Sequence, residues 1–359
     1  MADNKEKIQL AFASIDKRWE ELIPQLTEVD NVKDYILYGK DNLYPQYLYS
    51  LYNDVSTLKT IIEGTAEYVI GNDIEVNIPQ FQKEVNTKGD TIRELVRLLA
   101  RDYLLYGGYA VQIIRNKVGA IRELFYLDFR YIRSSKKNDL FYYSEEFDKK
   151  YVRKEKMLVL PKFIPEDLSS PISVLYVTNE KSKTYPTPRY SGALKSIEIE
   201  KQISDYHLAA LSNGFNGSYI INFLNGIPTD EVKWQLEKDI SEKFCGSSNA
   251  GRILLNFANG KDNATTVDKL DVEDYGTKYE TLAKWSKDQI FTAFQAQPIL
   301  FGCMKENNGF SQDEYLQAFA LYNRTIVHNI ATKIIESFDK IFGVENSIKI
   351  IPFSIEAVK

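Results

Sequence analysis

The chain has 359 residues, of which 44% are hydrophobic, 13% aromatic and 26% charged. A chain of that length buries a sizeable core and points to two or three modules rather than one compact unit. With 45 basic against 50 acidic residues, a formal charge of −5 and a pI near 5.4, it lacks the bulk positive charge by which free-standing nucleic-acid-binding modules grip phosphates.

Cys245 and Cys303 are too few and too far apart for a disulfide framework or a cysteine zinc site. His207 and His328 alone exclude a histidine-rich metal centre. No apolar leader follows Met1–Lys7, and no run approaches the roughly 18 apolar residues of a membrane span, so a cytosolic chain is expected.

In chain order, Ile8, Phe12, Ile15, Trp19, Leu22 and Ile23 recur every three to four residues and predict a helix over 5–26, stopped near Pro24. The turn-rich stretch Tyr38-Gly39-Lys40-Asp41-Asn42-Leu43-Tyr44-Pro45 leads to a helix over about 54–70, with Gly71-Asn72 as its stop. A helix over 90–106 follows, capped by Asp90 or Thr91 and broken by Gly107-Gly108. Tyr109–Arg115 and Ala120–Leu127 read as a β-hairpin around Asn116-Lys117-Val118-Gly119, and short strands continue through 131–180.

Tyr185-Pro186-Thr187-Pro188-Arg189, stiffened by two prolines, is the strongest internal boundary. Beyond it come a helix over 190–213 and a small insert over 218–277, itself strand (218–224), helix (229–244) and strand (252–257). A helix over 277–296 ends at Pro298. One long helix over 312–342 then carries Leu316, Phe319, Tyr322, Ile326, Ile330, Ile334, Phe338 and Ile341 in steps of three and four. A last strand spans 347–355. The fold class is α+β.

Chemistry is scarce. There is no phosphate-cradling Gly-x-x-x-x-Gly-Lys-Ser/Thr loop, no Gly-x-Ser-x-Gly elbow and no His-Glu-x-x-His. His207 and His328 fall inside predicted helices with no partner constellation and read as structural. Asp239, Glu242, Asp271, Glu273 and Asp274 read as solvated faces, and Asp271–Asp274 lacks the spacing of a calcium loop. The sequons at Asn216, Asn263 and Asn323 are expected to be coincidental. No catalytic residue, cofactor or metal ligand is expected.

Two long helices bracketing a strand–helix–strand insert suit a protein whose purpose is geometry, and here the sequence resembles the portal, or head-to-tail connector, proteins of tailed bacteriophages. The resemblance runs over about 38–355 and lies in ordered segments: Tyr38-Gly39-x-Asp41-Asn42-x-Tyr44-Pro45 with Ile70-Gly71-Asn72; Leu104–Val111 with Leu124–Asp128; Asn213-Gly214-Phe215 with Ile220-Ile221; Phe244–Arg252; and Gln289–Phe294 through Pro298–Gly302 to Gly309-Phe310-Ser311. It implies a portal-type fold: a helical extension (1–30), an α+β wing (31–188), stem helices (189–214 and 278–297) flanking a small α/β clip (215–277), a tunnel loop (298–311), a tunnel helix (312–342) and a strand returning to the wing (343–359). With 17 residues after Phe342, the family's crown is expected to be absent, minimal or removed.

The resemblance further implies a non-enzymatic ring, usually of twelve copies, at one capsid vertex of the virion, assembled in the host bacterial cytoplasm. Double-stranded DNA would pass through it during terminase-driven packaging and later ejection. Expected partners are the terminase large subunit, the major capsid protein or scaffold, and head-completion or tail adaptor proteins; no membrane is involved. Lys305, Asn307 and Asn308 would face DNA from the tunnel loop, and Trp234, Asn249, Gly251 and Arg252 would serve clip and motor docking. Two other readings stand beside this one. One is a metal-dependent nucleic-acid-processing enzyme using Asp128, Asp271, Glu273 and Asp274; the other is an adaptor that forms no ring.

Overall fold

The computed structural model describes residues 23–24, 26–29, 34–180, 183–212, 219–223, 229, 231–232, 234–235, 253–257, 275–302 and 312–353. They divide into two compact units. One combines the chain up to Ile197 with the chain from Gln289 onward; the other is Glu198–Asp288.

Most of the predicted 5–26 helix lies outside the described residues, and Ile23, Pro24 and Leu26 are not helical. The first unit opens with β1 (Glu28–Val29), antiparallel to β2 (Leu37–Tyr38). The sequence reading then missed a helix. α1 (Tyr44–Asp54) carries Pro45 in its first turn, where the missing N–H has no intrahelical partner to lose. Its buried face is Tyr44, Pro45, Leu48, Leu51 and Tyr52, a stripe that includes two tyrosines and a proline and so is weaker as a helical apolar signal. Val55, extended at φ −109° and ψ 108°, separates it from α2 (Ser56–Ile70), whose Leu58, Ile61, Ile62, Ala66 and Val69 are buried as predicted. β3 (Asp73–Val76) follows.

α3 (Ile92–Tyr106) settles its cap on Thr91. The Glu94 amide donates to Thr91 Oγ1 at 3.2 Å, and the Thr91 amide donates back to Glu94 Oε2 at 2.8 Å. Such a reciprocal cap is worth about 1 kcal/mol. Gly107 ends the helix at φ 86°, and a Cβ there would lie 2.8 Å from both Asn179 Nδ2 and the Thr187 carbonyl oxygen. Only glycine satisfies both demands.

β4 (Gly108–Arg115) and β5 (Ile121–Leu127) form the predicted hairpin. β6 (Ile132–Ser134), β7 (Leu140–Tyr143) and β8 (Leu158–Pro161) make a separate antiparallel sheet in that order. β9 (Ile172–Thr178) returns to the first sheet and pairs antiparallel with β4, so β4 is central. Tyr109, Ala110, Val111 and Ile113 in this strand are all buried, as expected of a strand covered on both faces.

Tyr185–Arg189 is not a detached linker. Tyr185 and Tyr190 are fully buried, and the Tyr185 ring stacks on Tyr38 at 4.0 Å and 9°. The segment straps the core, and the division between units falls further on, at Ile197.

The second unit contains most of α4 (Leu194–Ser212), then β10 (Tyr219–Phe223) and β11 (Ile253–Phe257), and most of α5 (Tyr275–Phe294). β10 and β11 are parallel, in register from Tyr219↔Ile253 to Phe223↔Phe257. A parallel pair needs a crossover connection, and the helix predicted over 229–244 occupies that stretch. Within it, residues 231–232 and 234–235 are described and helical.

The chain re-enters the first unit at Gln289, within α5, and continues through a 3-10 turn, Pro298–Phe301. The predicted 312–342 helix is helical throughout but not uniformly α. It runs as α6 (Gln312–Tyr322), a π turn (Asn323–Val327) and α7 (His328–Phe342). Thr325 Oγ1 donates to the Leu321 carbonyl at 2.8 Å and Asn329 Nδ2 to the Thr325 carbonyl at 2.6 Å. These side chains supply local bonds where the backbone register widens. Ile330, Ile334, Phe338 and Ile341 anchor α7 in the core. Finally β12 (Ile348–Ile351) pairs antiparallel with β3.

Candidate functional site

The segment 303–311, which contains the expected DNA-facing residues, lies outside the described residues, but both of its flanks are described. On the upstream side Tyr68 of α2 donates its hydroxyl to the Leu300 carbonyl at 2.9 Å. Phe301 lies against Gly64 so closely that a Cβ there would sit 2.9 Å from Phe301 Cδ1. On the downstream side Phe319 and Tyr322 of α6 come back to the same helix. The Phe319 ring meets Tyr68 at 5.7 Å, and the Tyr322 hydroxyl lies 2.7 Å from Thr65 Oγ1. Phe301 and Tyr322 also meet edge to face at 5.8 Å.

α2 is thus a platform, with Gly64, Thr65 and Tyr68 on one face holding both ends of the segment. Sequence reasoning missed this role. Its only trace was a glycine inside a strong helical pattern, where helix propensity alone argues against one.

The roots of α4 and α5 are clamped together in the first unit. Tyr190 stacks on Phe294 at 5.1 Å and 20°, Arg189 Nη2 donates to Gln295 Oε1 at 2.8 Å, and the Tyr190 hydroxyl donates to the Leu105 carbonyl at 2.8 Å. In the second unit Tyr206 of α4 stacks on Tyr279 of α5 at 4.9 Å, with the His207 ring 5.9 Å from Tyr279. His207 and His328 are both exposed helix residues.

Of the residues singled out from sequence, Trp234 is described and is 64% exposed, so it does not pack in the core. Lys305, Asn307, Asn308, Asn249, Gly251 and Arg252 lie outside the described residues, as do Asp239, Glu242, Asp271, Glu273 and Asp274. Asp128, the remaining acid of the enzymatic reading, is engaged by Arg130: Nε lies 3.0 Å from each carboxylate oxygen and Nη2 2.5 Å from Oδ2. Among the described residues, no group of three or more His, Cys, Asp or Glu side chains is arranged to hold a metal ion. No helix among them is long and apolar enough to cross a membrane.

Two buried ionisable side chains lie elsewhere in the first unit. Arg133 is fully buried without a carboxylate. Its Nε donates to Asn42 Oδ1 at 2.5 Å and Nη2 to the Asn42 carbonyl at 2.7 Å. Its Nη1 donates to the Arg130 and Ile132 carbonyls, each at 2.7 Å. Burial lowers its pKa. Asn42 holds φ 65° and also accepts from the Tyr38 amide, which explains the asparagine in the Asp41-Asn42 turn.

Asp102, also fully buried, accepts from Arg101 Nη2 at 3.1 Å and from the Tyr126 hydroxyl at 2.8 Å. Burial nevertheless pushes its pKa up to about 7, with Arg101 opposing the rise.

The described chain thus comprises an α+β unit and a second unit in which helices precede and follow a parallel strand pair. The chain belongs to the phage portal protein family, whose model matches residues 83–356. Among solved structures it is similar to a chain from the neck of a native gene transfer agent particle computed with C12 symmetry. That likeness has a TM-score of 0.53 and 18% identity, covering 86% of this chain and 84% of that one. A chain from the virion of the native gene transfer agent particle gives a TM-score of 0.51 at 18% identity, covering 85% and 83%. These likenesses show the fold. An uncharacterized protein of Rickettsia bellii (strain RML369-C) is 27% identical over 199 residues, 52% of this chain and 50% of that protein. The chain therefore spans about half the length of this curated relative.

Proposed function

We propose that the chain is the portal subunit of a phage-like particle: copies close into a ring at one capsid vertex, and double-stranded DNA passes through the ring in packaging and ejection. The observation that carries this reading is the family match over 83–356. The C12 neck that shares the fold supports a ring of twelve. In this reading the first unit is the wing with its tunnel helix, α4 and α5 are the stems, and the β10–β11 insert is the clip that meets the packaging motor. Lys305, Asn307 and Asn308 sit on the tunnel loop, whose ends α2 holds. The role is structural and involves no chemical step.

An acidic chain suits a conduit, since dense Lys/Arg contacts would trap DNA in a salt-dependent way. The terminase large subunit, the capsid protein or scaffold, and the head-completion proteins are the partners this role requires. The test is genetic and biochemical. Particles assembled without this chain should hold no nuclease-protected DNA, and restoring the chain should restore it. Filled particles in its absence would overturn the proposal.

A further inference from the structure

One concavity of the first unit carries charge out of keeping with a chain of net charge −5. It has a volume of about 590 Å³ and opens beside β9 and α7. Four lysines line it, Lys162, Lys183, Lys333 and Lys340, against one carboxylate, Glu336. Lys183 is engaged elsewhere, its Nζ 3.1 Å from Glu180 Oε2. Lys333 is held on the wall, its Nζ donating to the Thr178 carbonyl at 3.0 Å. Lys162 and Lys340 are exposed, and neither ammonium makes an ion pair or hydrogen bond with a described residue.

We propose that this pocket is a phosphate-binding site, with Lys162 and Lys340 as the principal cationic ligands and Lys333 fixed beside them. A concave, partly apolar wall lowers the local dielectric and strengthens the pull of the lining ammonium groups on an anion. The type of cation chooses among anions. A planar carboxylate is matched best by the two-pronged guanidinium of arginine, and no arginine lines the pocket. Lysine acts as a point charge whose three donors turn freely, which suits a tetrahedral phosphate approached from several sides. Asn138, also on the lining, adds an amide of the kind that commonly accompanies phosphate contacts, whereas the Thr178 hydroxyl is spent on the Glu180 carbonyl at 2.9 Å. The phosphate could come from a duplex backbone or from a free phosphate anion, and both present the same oxygens. The proposal rests on this local geometry and does not draw on the conduit reading.

The experiment uses the full chain with two probes, sodium pyrophosphate followed by calorimetry and a labelled short DNA duplex followed by anisotropy. The variants are Lys162→Gln/Lys340→Gln, the charge-keeping Lys162→Arg/Lys340→Arg, and the distant control Lys149→Gln. At least one probe should bind the unaltered chain. The glutamine pair should weaken that binding by about tenfold or more, while the arginine pair and the control stay within about threefold.

If the duplex binds, the glutamine pair should also flatten its log–log salt dependence by about 2, at roughly 0.9 per lost phosphate contact. Binding of the duplex with that signature assigns the backbone as the source; binding of pyrophosphate alone assigns a free anion. Failure of both probes to bind, or undiminished binding by a glutamine pair that melts like the unaltered chain, would overturn the proposal. Because ring assembly is not read, this failure is separable from failure of the conduit reading.

Discussion

Phe301 occupies the space a side chain at Gly64 would need, its Cδ1 2.9 Å from where that Cβ would stand. The contact ties the turn Pro298–Phe301, upstream of segment 303–311, to the middle of α2. A helix-interior glycine costs about 1 kcal/mol relative to alanine, and here the close approach of Phe301 offsets it.

Gly64→Leu should therefore destabilise despite better helix propensity. Overpacking of this kind costs about 1–3 kcal/mol. A lowered urea midpoint is the expected outcome. An unchanged or raised midpoint would mean Phe301 moves aside freely.

Thr65 and Tyr322 are the downstream counterpart. Thr65 Oγ1 donates to the Ile61 carbonyl at 2.6 Å, so in the 2.7 Å contact between the two hydroxyls Tyr322 is the donor. Thr65→Val leaves the buried Tyr322 hydroxyl without its acceptor and should cost about 1–3 kcal/mol, whereas Thr65→Val/Tyr322→Phe should recover part of that loss. A double-mutant cycle in urea reads the difference; strict additivity would show that the two hydroxyls do not interact.

Asp102 gives a pH signature. Its folded pKa is raised from the ordinary 3.8 to about 7 because burial penalises the charge. Between those values the folded chain keeps a proton that the unfolded chain has released. Stability should therefore fall as pH rises from about 4 to about 7, by up to a few kcal/mol. Asp102→Asn, which cannot titrate, should flatten this part of the profile of melting temperature against pH. An equally steep profile in the variant would assign the dependence to other groups.

Arg133 tests a different kind of burial. Its four donor contacts fan out to Asn42, Arg130 and Ile132. A lysine ammonium cannot span that fan, so Arg133→Lys should cost about 3 kcal/mol, although the charge is kept. Thermal melts should show a loss of that order; a variant as stable as the parent would mean that charge, not geometry, is what the site requires.

Much of the fold was legible because periodicity and turn chemistry agreed. Asp90 or Thr91 marked a helix start, Gly107-Gly108 its end, and the β4–β5 hairpin followed from its turn. α1 was hidden because its face includes two tyrosines and because Pro45 reads as a breaker unless the helix starts there. The π turn at Asn323–Val327 was invisible, since hydrophobic steps of three and four continue unbroken across it. The centrality of β4 depended on β9, about sixty residues away, which no local pattern encodes. The α2 platform was illegible for a related reason: Gly64, Thr65 and Tyr68 matter through partners more than 230 residues distant in the chain. The ordered segments made the family recognisable, while the residues expected to touch DNA or the motor were reached by resemblance alone.

The most direct test of the conduit account is the native mass of the purified chain across a concentration series, by light scattering joined to negative-stain imaging. The account predicts a closed ring with a central hole, about 500 kDa for twelve copies of 41.4 kDa. A stable dimer with no ring at any concentration, with or without capsid scaffold, would contradict it.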